Sequence, residues 1–180
     1  MSARSLYPLL LFLITIGSAA QQTTDTPAFF VRTIVQKPEF IKGDSTLVSF
    51  VLYSEGEIRT ASCKQKALKV KGARARRLNI NRETTRGRGR WENRLYNTLV
   101  WAQYIVAADA VGTLTLPAID FRATVRLYER SADPFAEFFG YRRGYKDFEV
   151  SASSAKTKIS VTEKPKKTTQ EIMRARGGIL

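Results

Sequence analysis

Short runs of alternating apolar and polar residues, separated by turn residues, make up most of this chain. The clearest run is Ser45 to Ser54 (STLVSFVLYS), in which the even-numbered positions form the more apolar face. Such alternation, with many β-branched and aromatic residues, is typical of half-buried β-strands. The same features predict strands in four further stretches: FFVRTIVQ (29–36), YNTLVWAQYIVAAD (96–109), TLTLPAIDFRATVRLYE (113–129) and KDFEVSASSAKTKISVTE (146–163).

Two stretches allow a second interpretation. Residues 96–109 also fit a helix because alanine is frequent there, but their β-branched and aromatic side chains favour a strand. In the segment 64–94, KALKVKGARARRLNI predicts short strands, and NRETTRGRGRWENR predicts an exposed hairpin or loop.

No convincing amphipathic helix interrupts these strands, so we predict an all-β fold. The expected architecture is an immunoglobulin-like antiparallel β-sandwich with long loops. The domain is expected to span residues 21–163, with a basic insertion at about 64–94. Residues 164–180 are basic and polar with little to bury, and we expect a flexible tail or linker there.

The segment 1–20 has the pattern of a secretory signal peptide. Arg4 supplies a charged start, Leu9 to Ile16 (LLLFLITI) is a short apolar run, and Ser18 and Ala20 are small residues where a signal peptidase requires them. The run is shorter than the roughly 20 residues that a membrane-spanning helix needs, and an uncleaved anchor is the competing interpretation. We expect cleavage near Ala20 and a periplasmic or secreted protein.

The chain has no histidine, and Cys63 is its one cysteine. The absence of histidine removes the commonest general base and metal ligand, and a lone cysteine cannot form an internal disulfide. No pair of carboxylates stands in a catalytic motif. We therefore predict a protein that is not an enzyme, with no cofactor and no metal, and we interpret Cys63 as a half-buried strand thiol.

Positive charge is concentrated in two segments. Residues 64–94 contain twelve basic and two acidic residues, and residues 155–180 contain seven basic and two acidic ones, within a net charge of +14. Outside the cytoplasm, such segments attract lipopolysaccharide, acidic glycans and anionic headgroups. The candidate polyanion-binding residues are Arg74, Arg76, Arg77, Arg86, Arg88 and Arg90.

Two other interpretations of segment 64–94 stay open. Nucleic acid is the less favoured partner, because Trp91 is the only aromatic residue in the segment and a secreted chain rarely meets nucleic acid. The segment could also be a solvated strand edge, whose charges discourage edge-to-edge aggregation.

Residues 131–145 (SADPFAEFFGYRRGY) combine aromatic side chains with arginine, proline and glycine. The spacing of Phe135, Phe138 and Phe139 would place them on one side of a helical turn that caps the sandwich. The alternative is a surface that docks a protein, since aromatic residues and arginine are common interface anchors. We expect Phe135 and Phe138 to point inward and the following tyrosine and arginines outward. The candidate partner-binding residues are Asp133, Pro134, Phe135, Phe138, Phe139, Tyr141, Arg142 and Arg143.

An ordered set of short motifs resembles the BatD family, the oxygen-tolerance proteins of the Bat operons. The set comprises an aromatic strand, a glycine turn, T-[IL]-P, Asp-Pro-Phe and FFG, and residues 28–165 carry the resemblance. Its parts here are Tyr104 to Ala108, Gly112, Thr115 to Pro117, Asp133 to Phe135 and Phe138 to Gly140.

The resemblance implies a periplasmic, non-enzymatic protein of immunoglobulin-like modules. Its partners would be VWA-domain Bat proteins and a MoxR-type ATPase, in an envelope complex linked to oxidative-stress tolerance. Family members usually end in a transmembrane helix, whereas this chain ends in MRARGGIL, so we expect a short form. We interpret the chain as a protein-interaction module of this kind, with an envelope polyanion- or lipopolysaccharide-binding protein that uses residues 64–94 as the alternative.

Overall fold

A computed structural model of the chain describes residues 26–65, 67–81, 85–128 and 144–164. These residues form β-strands and contain no α-helix, which confirms the predicted all-β fold. The strands are β1 (Phe29–Val35), β2 (Glu39–Ile41), β3 (Ser45–Ser54), β4 (Glu57–Cys63), β5 (Ala73–Arg77), β6 (Arg86–Trp91), β7 (Arg94–Ala108), β8 (Gly112–Leu116), β9 (Asp120–Tyr128), β10 (Tyr145–Ser153) and β11 (Thr157–Thr162).

The strands are arranged in three sheets. The main sheet has the order β1-β3-β7-β5, and β6 also pairs with β7. The second sheet is β10-β9-β4, and the third is β2-β11-β8. The described strand pairs are antiparallel, as predicted, except that β2 and β11 run parallel.

One hydrophobic core joins the three sheets. Its fully buried side chains include Phe50 and Leu52 of the main sheet, Phe121 of the second, and Leu116 and Ile159 of the third. Each such side chain contributes roughly 1.5–3 kcal/mol on burial. Sheets that share a core in this way form the predicted sandwich-like arrangement.

The long strand β7 carries a bulge at its centre. Phe50 of β3 pairs with Ala102, but the next residue, Val51, pairs with Val100, which leaves Trp101 as the extra residue. The Trp101 ring packs edge-on against Phe121, with ring centroids 6.1 Å apart. An extra residue exchanges the two faces of a strand, so β7 turns odd-numbered side chains to the core before the bulge and even-numbered ones after it.

The outer face of the main sheet carries a second, aromatic cluster, which the sequence did not predict. Tyr53 and Tyr96 are both 7% exposed there, although they point away from the main core. Phe30 stacks on Tyr53 at a centroid distance of 5.0 Å, and Trp91 packs against the same cluster. Both faces of β3 are therefore buried, whereas alternation indicated one apolar face.

The segment 64–94 supplies two strands to the main sheet. Short strands were predicted in its first half from the alternation at Leu68 and Val70 and at Leu78 and Ile80, but the strand that forms, β5, lies between these positions. A hairpin or loop was predicted in its second half, where β6 turns back into β7. Glu92 and Asn93 occupy this turn with φ of 46° and 62°, which is typical of the two-residue hairpin turns that match strand twist. Cys63 ends β4 and is half-buried, which confirms its predicted place.

Several predicted features lie outside the described residues. These are the signal peptide, the tail beyond residue 164, and the candidate partner-binding residues between 133 and 143. Within the described ranges, no helix has the length and apolar character needed to cross a membrane.

Candidate functional site: the basic edge of the main sheet

The strands β5 and β6 lie end to end along one edge of β7, while β3 occupies the other edge. β5 pairs with residues 104–108, and β6 pairs with residues 94–99. This arrangement brings all six candidate arginines onto one edge of one sheet, which we call the basic edge. Its members are Arg74, Arg76 and Arg77 of β5, and Arg86, Arg88 and Arg90 of β6.

The register divides these arginines between the two faces of the sheet. Directly opposed residues of an antiparallel pair share a face. Arg77 lies opposite Tyr104 and Arg86 opposite Leu99, and both of these β7 residues pack on the main core. Arg88 and Arg90 alternate with glycine and share the face of Arg86. The opposite, outer face receives the remaining two, Arg74 and Arg76.

Most of the basic edge has no acidic neighbour in the part of the chain that the structure describes. Arg74 Nε donates to Asp109 Oδ1 at 2.9 Å, and both side chains are largely exposed. Arg86 donates from its guanidinium group to the Ile58 carbonyl of β4. No described carboxylate forms an ion pair with the other four, which are Arg76, Arg77, Arg88 and Arg90. Four of the six edge arginines therefore have no ion-pair partner among the described residues.

Between β5 and β6, the basic edge borders a cavity of about 650 Å³, which we call the edge pocket. Arg77 and Arg86 line it together with Ala61 of β4 and the following side chains: Leu78, Asn79, Ile80, Thr85, Leu99, Val100 and Trp101. A second cavity of about 240 Å³ shares Arg77 and Trp101 with the edge pocket and includes Phe50, Tyr104 and Phe121. Apolar side chains thus form much of the wall behind the two arginines.

Tyr104 adds a phenol group to the lining of the smaller cavity, the one of about 240 Å³. Burial raises the pKa of its phenol above the ordinary value of 10.0, and the positive charge of Arg77 opposes this effect. The phenol is therefore protonated at neutral pH and can donate a hydrogen bond.

A second polar and aromatic cluster lies at the ends of β9 and β10, which flank residues 129–143. We call Arg126, Tyr128, Tyr145 and Asp147 the hairpin stem. Arg126 donates two hydrogen bonds to Asp147, at 2.7 and 2.8 Å, and its guanidinium carbon lies 3.6 Å from the Tyr145 ring centroid. Tyr128 and Tyr145 are 50% and 54% exposed.

The carboxylates around the hairpin stem are held in their charged form. The hydrogen bond from Arg126 lowers the pKa of Asp147. Glu57 of β4 accepts hydrogen bonds from Arg59 and from the Tyr128 hydroxyl, both at 2.9 Å, and these lower its pKa. The outer face of the second sheet is thus neutralised by paired charges, in contrast to the basic edge.

The described residues contain no group of three or more cysteine, aspartate and glutamate side chains that could hold a metal ion. No protein-family model, curated protein or solved structure matches the chain. The functional assignment therefore depends on the geometry of this molecule.

The sequence pattern located the arginines of the edge but not the pocket beside them. The pocket combines side chains from separate parts of the chain, namely Ala61, residues 77–80, residues 85–86 and residues 99–101. The one local signal was the alternation of Leu78 and Ile80 with polar residues after the arginine run. Nothing in the sequence indicated that Trp101 would stand at a bulge beside them.

Proposed function

We propose that this protein is a non-enzymatic, periplasmic or secreted module that binds envelope polyanions along its basic edge. The observation that carries the proposal is the alignment of six arginines on one sheet edge, four of them without a described acidic partner. The planar guanidinium group matches phosphate and carboxylate oxygens in a two-pronged geometry, so such an edge suits lipopolysaccharide phosphates or acidic glycans.

A rigid strand edge also suits a repeating ligand. Alternate residues of one strand face lie about 6.6–6.8 Å apart, which spaces Arg86, Arg88 and Arg90 as a regular row. Each contact is exposed to solvent and individually weak, so affinity depends on several contacts at once and falls as salt screens them.

The proposal is tested by binding to heparin and to lipopolysaccharide as the salt concentration rises. The test variant replaces three exposed edge arginines with glutamine: Arg76, Arg88 and Arg90. The matched control removes the same charge at exposed lysines outside both basic segments: Lys37, Lys42 and Lys146. We expect the test variant to elute from heparin at clearly lower salt than the control. Equal elution of the two variants, or binding that salt does not weaken, would contradict a specific role for the edge.

A second candidate function is a protein-interaction module of the BatD kind, favoured by the hairpin stem. Its two exposed tyrosines and stacked arginine are residue types that often anchor protein interfaces, and they flank residues 129–143, which contain the candidate partner-binding residues. The partners proposed from the resemblance are VWA-domain and MoxR-type proteins of an envelope complex linked to oxidative-stress tolerance.

This second function is tested by capture of purified VWA-domain and MoxR-type proteins. We expect capture by the unaltered chain and loss of capture when Tyr128 and Tyr145 are replaced with serine, or when Phe138, Phe139 and Tyr141 are replaced with alanine. The edge variant of the preceding test serves as a control that should still capture. Failure of the unaltered chain to bind either protein would remove this candidate.

A further inference from the structure

The edge of the main sheet is interrupted between its two basic strands. The β5 ladder ends with Arg77 opposite Tyr104, and the β6 ladder begins with Arg86 opposite Leu99. The intervening β7 residues, 100–103, therefore have no ladder partner on this side among the described strands. The Leu78 amide donates to the Gln103 carbonyl within this gap, at 2.8 Å. The edge pocket lies beside this gap and is lined from both sheets, by Ala61 of β4 and by Leu99 and Trp101 of β7.

Beside the gap lies an open pocket of ligand size, lined by apolar and polar side chains. The edge pocket of about 650 Å³ falls within the roughly 300–1,000 Å³ that is usual for small-molecule sites. A separate cavity of about 240 Å³ shares Arg77 and Trp101 with it and is also lined by Phe50, Ile119 and Phe121. Leu99 and Trp101 are the apolar side chains of the edge pocket along which an apolar chain could pack.

Two positive charges border this pocket. Arg77 and Arg86 lie on opposite sides of the gap and start from the same face of the sheet. The Ile58 carbonyl fixes the Arg86 guanidinium group through one of its N–H groups and leaves others available for an anion. Arg77 has no described carboxylate partner, and the protonated phenol of Tyr104 lies in the cavity that Arg77 also lines.

We propose that the edge pocket binds an anionic amphiphile, in which a carboxylate or phosphate group is joined to an apolar chain. The headgroup would lie between Arg77 and Arg86, and the chain would pack along Leu99 and Trp101. Two like charges disfavour a cation, and an anion would supply the ion-pair partner that Arg77 lacks among the described carboxylates. The inference rests on the proposed function in one respect, that the basic edge attracts anions, but it concerns a different ligand and a different set of side chains.

Trp101 lines the pocket and provides a direct reporter. The chain has two tryptophans, so Trp91→Phe leaves Trp101 as the only one. Laurate and dodecyl phosphate, below their micelle concentrations, would be titrated against this variant, with dodecanol and dodecyltrimethylammonium as neutral and cationic controls. We expect a saturable change in Trp101 fluorescence with the anions, binding of dodecanol weaker by about tenfold or more, and no binding of the cation. Comparison of the two anions identifies the preferred headgroup.

Variants then connect the binding to the two arginines. The double variant Arg77→Gln with Arg86→Gln should weaken the binding of laurate and dodecyl phosphate by about tenfold or more. The double variant Arg76→Gln with Arg88→Gln removes the same charge outside the pocket and should leave this binding unchanged. Because Arg86 also supports β4, a second variant, Ile80→Glu, places a negative charge at the pocket wall and should likewise abolish anion binding. Equal affinity for dodecanol and laurate, or full affinity in both pocket variants, would overturn the proposal.

The same variants separate this inference from the polyanion function. The variant Arg76→Gln with Arg88→Gln tests heparin binding without altering the pocket lining, and Ile80→Glu tests the pocket without altering any arginine. Loss of amphiphile binding with intact heparin binding in Ile80→Glu supports two separate uses of one edge. Salt-insensitive heparin binding together with saturable laurate binding would contradict the polyanion function and leave the pocket assignment in place.

Discussion

The ring of Tyr53, on β3, lies over the backbone of Gly89, on β6, across the intervening strand β7. A Cβ atom at Gly89 would lie 3.2 Å from Tyr53 Cε1 and 3.0 Å from Thr98 Cγ2. The tyrosine ring thus occupies the space that a side chain at residue 89 would take, an arrangement that compensates for glycine in a strand. The packing of the outer face therefore requires glycine at residue 89, the second glycine of the RGRGR run.

This contact makes Gly89 and Gly87 a matched pair. We expect Gly89→Ala to lower the free energy of unfolding by roughly 1–2 kcal/mol, because Tyr53 is held by its stack on Phe30 and cannot move without disturbing the cluster. Gly87→Ala should be neutral or stabilising by up to about 1 kcal/mol, since its Cβ would meet Thr98 Oγ1 at an ordinary 3.5 Å and alanine loses less entropy on folding. Urea denaturation of the two variants checks this. If both variants are destabilised equally, the requirement for glycine at residue 89 comes from its backbone flexibility and not from the contact with Tyr53.

Gly56, in the turn between β3 and β4, is a stricter case. A Cβ atom there would lie 2.5 Å from the Arg126 carbonyl oxygen and 2.6 Å from Val125 Cγ1, so β9 backbone would have to move. We expect Gly56→Ala to cost about 3 kcal/mol or more, at the upper end of overpacking effects. Urea unfolding with Gly87→Ala as the reference measures this cost, and a loss below about 1 kcal/mol would be inconsistent with the close approach of β9.

Strand positions could be predicted from the sequence because alternation is a local signal. β3 was predicted with the bounds it has in the structure, and its even-numbered residues are buried in the main core. The burial of its odd-numbered residues could not be predicted, because Val51 and Tyr53 are covered by aromatic residues of β1, β6 and β7, distant in sequence. The bulge at Trp101 likewise depends on pairing with β3, which alternation within β7 does not reveal.

The site shows the same division between local and long-range information. The arginines could be located from composition alone, because charge density is visible in a short segment. Their division between two faces depends on the register with β7, and the edge pocket depends on β4 passing near the gap. The alternation of Leu68 and Val70 with lysines indicated a strand. Both side chains are buried, but Val70 forms only an isolated bridge to Ala73 and belongs to no strand.

The hairpin stem predicts a pH dependence of stability. Arg126 holds the pKa of Asp147 below its ordinary value of 3.8, so the folded state favours the charged carboxylate. The stabilisation is fully present above about pH 5 and is lost as the pH falls through the lowered folded-state pKa. We expect Asp147→Asn to lower the melting temperature at pH 7, and the difference from the unaltered chain to shrink as the pH falls through the lowered pKa of Asp147.

The control for this prediction is Asp109→Asn, which removes a carboxylate from the largely exposed pair with Arg74. Exposed ion pairs contribute little, so this variant should change the melting temperature at pH 7 only slightly. A difference between Asp147→Asn and the unaltered chain that persists below the measured pKa of Asp147 would show that asparagine disturbs the stem by a route other than charge. NMR titration of the Asp147 carboxyl group measures its pKa directly.

A cation–π contact connects strands at the two opposite edges of the main sheet. Arg32 belongs to the edge strand β1 and Trp91 to β6, and the guanidinium carbon lies 3.7 Å from the Trp91 ring centroid. The contact lies beside the aromatic cluster and is half-buried, so we expect a coupling energy of about 0.5–1 kcal/mol. A double-mutant cycle with Arg32→Met and Trp91→Leu, followed by urea unfolding, measures this coupling.

The same cycle with Arg59→Met and Trp91→Leu serves as the control and should give no coupling, because Arg59 pairs with Glu57 on the second sheet. Additive effects in the Arg32 cycle would mean that the two residues stabilise the sheet independently.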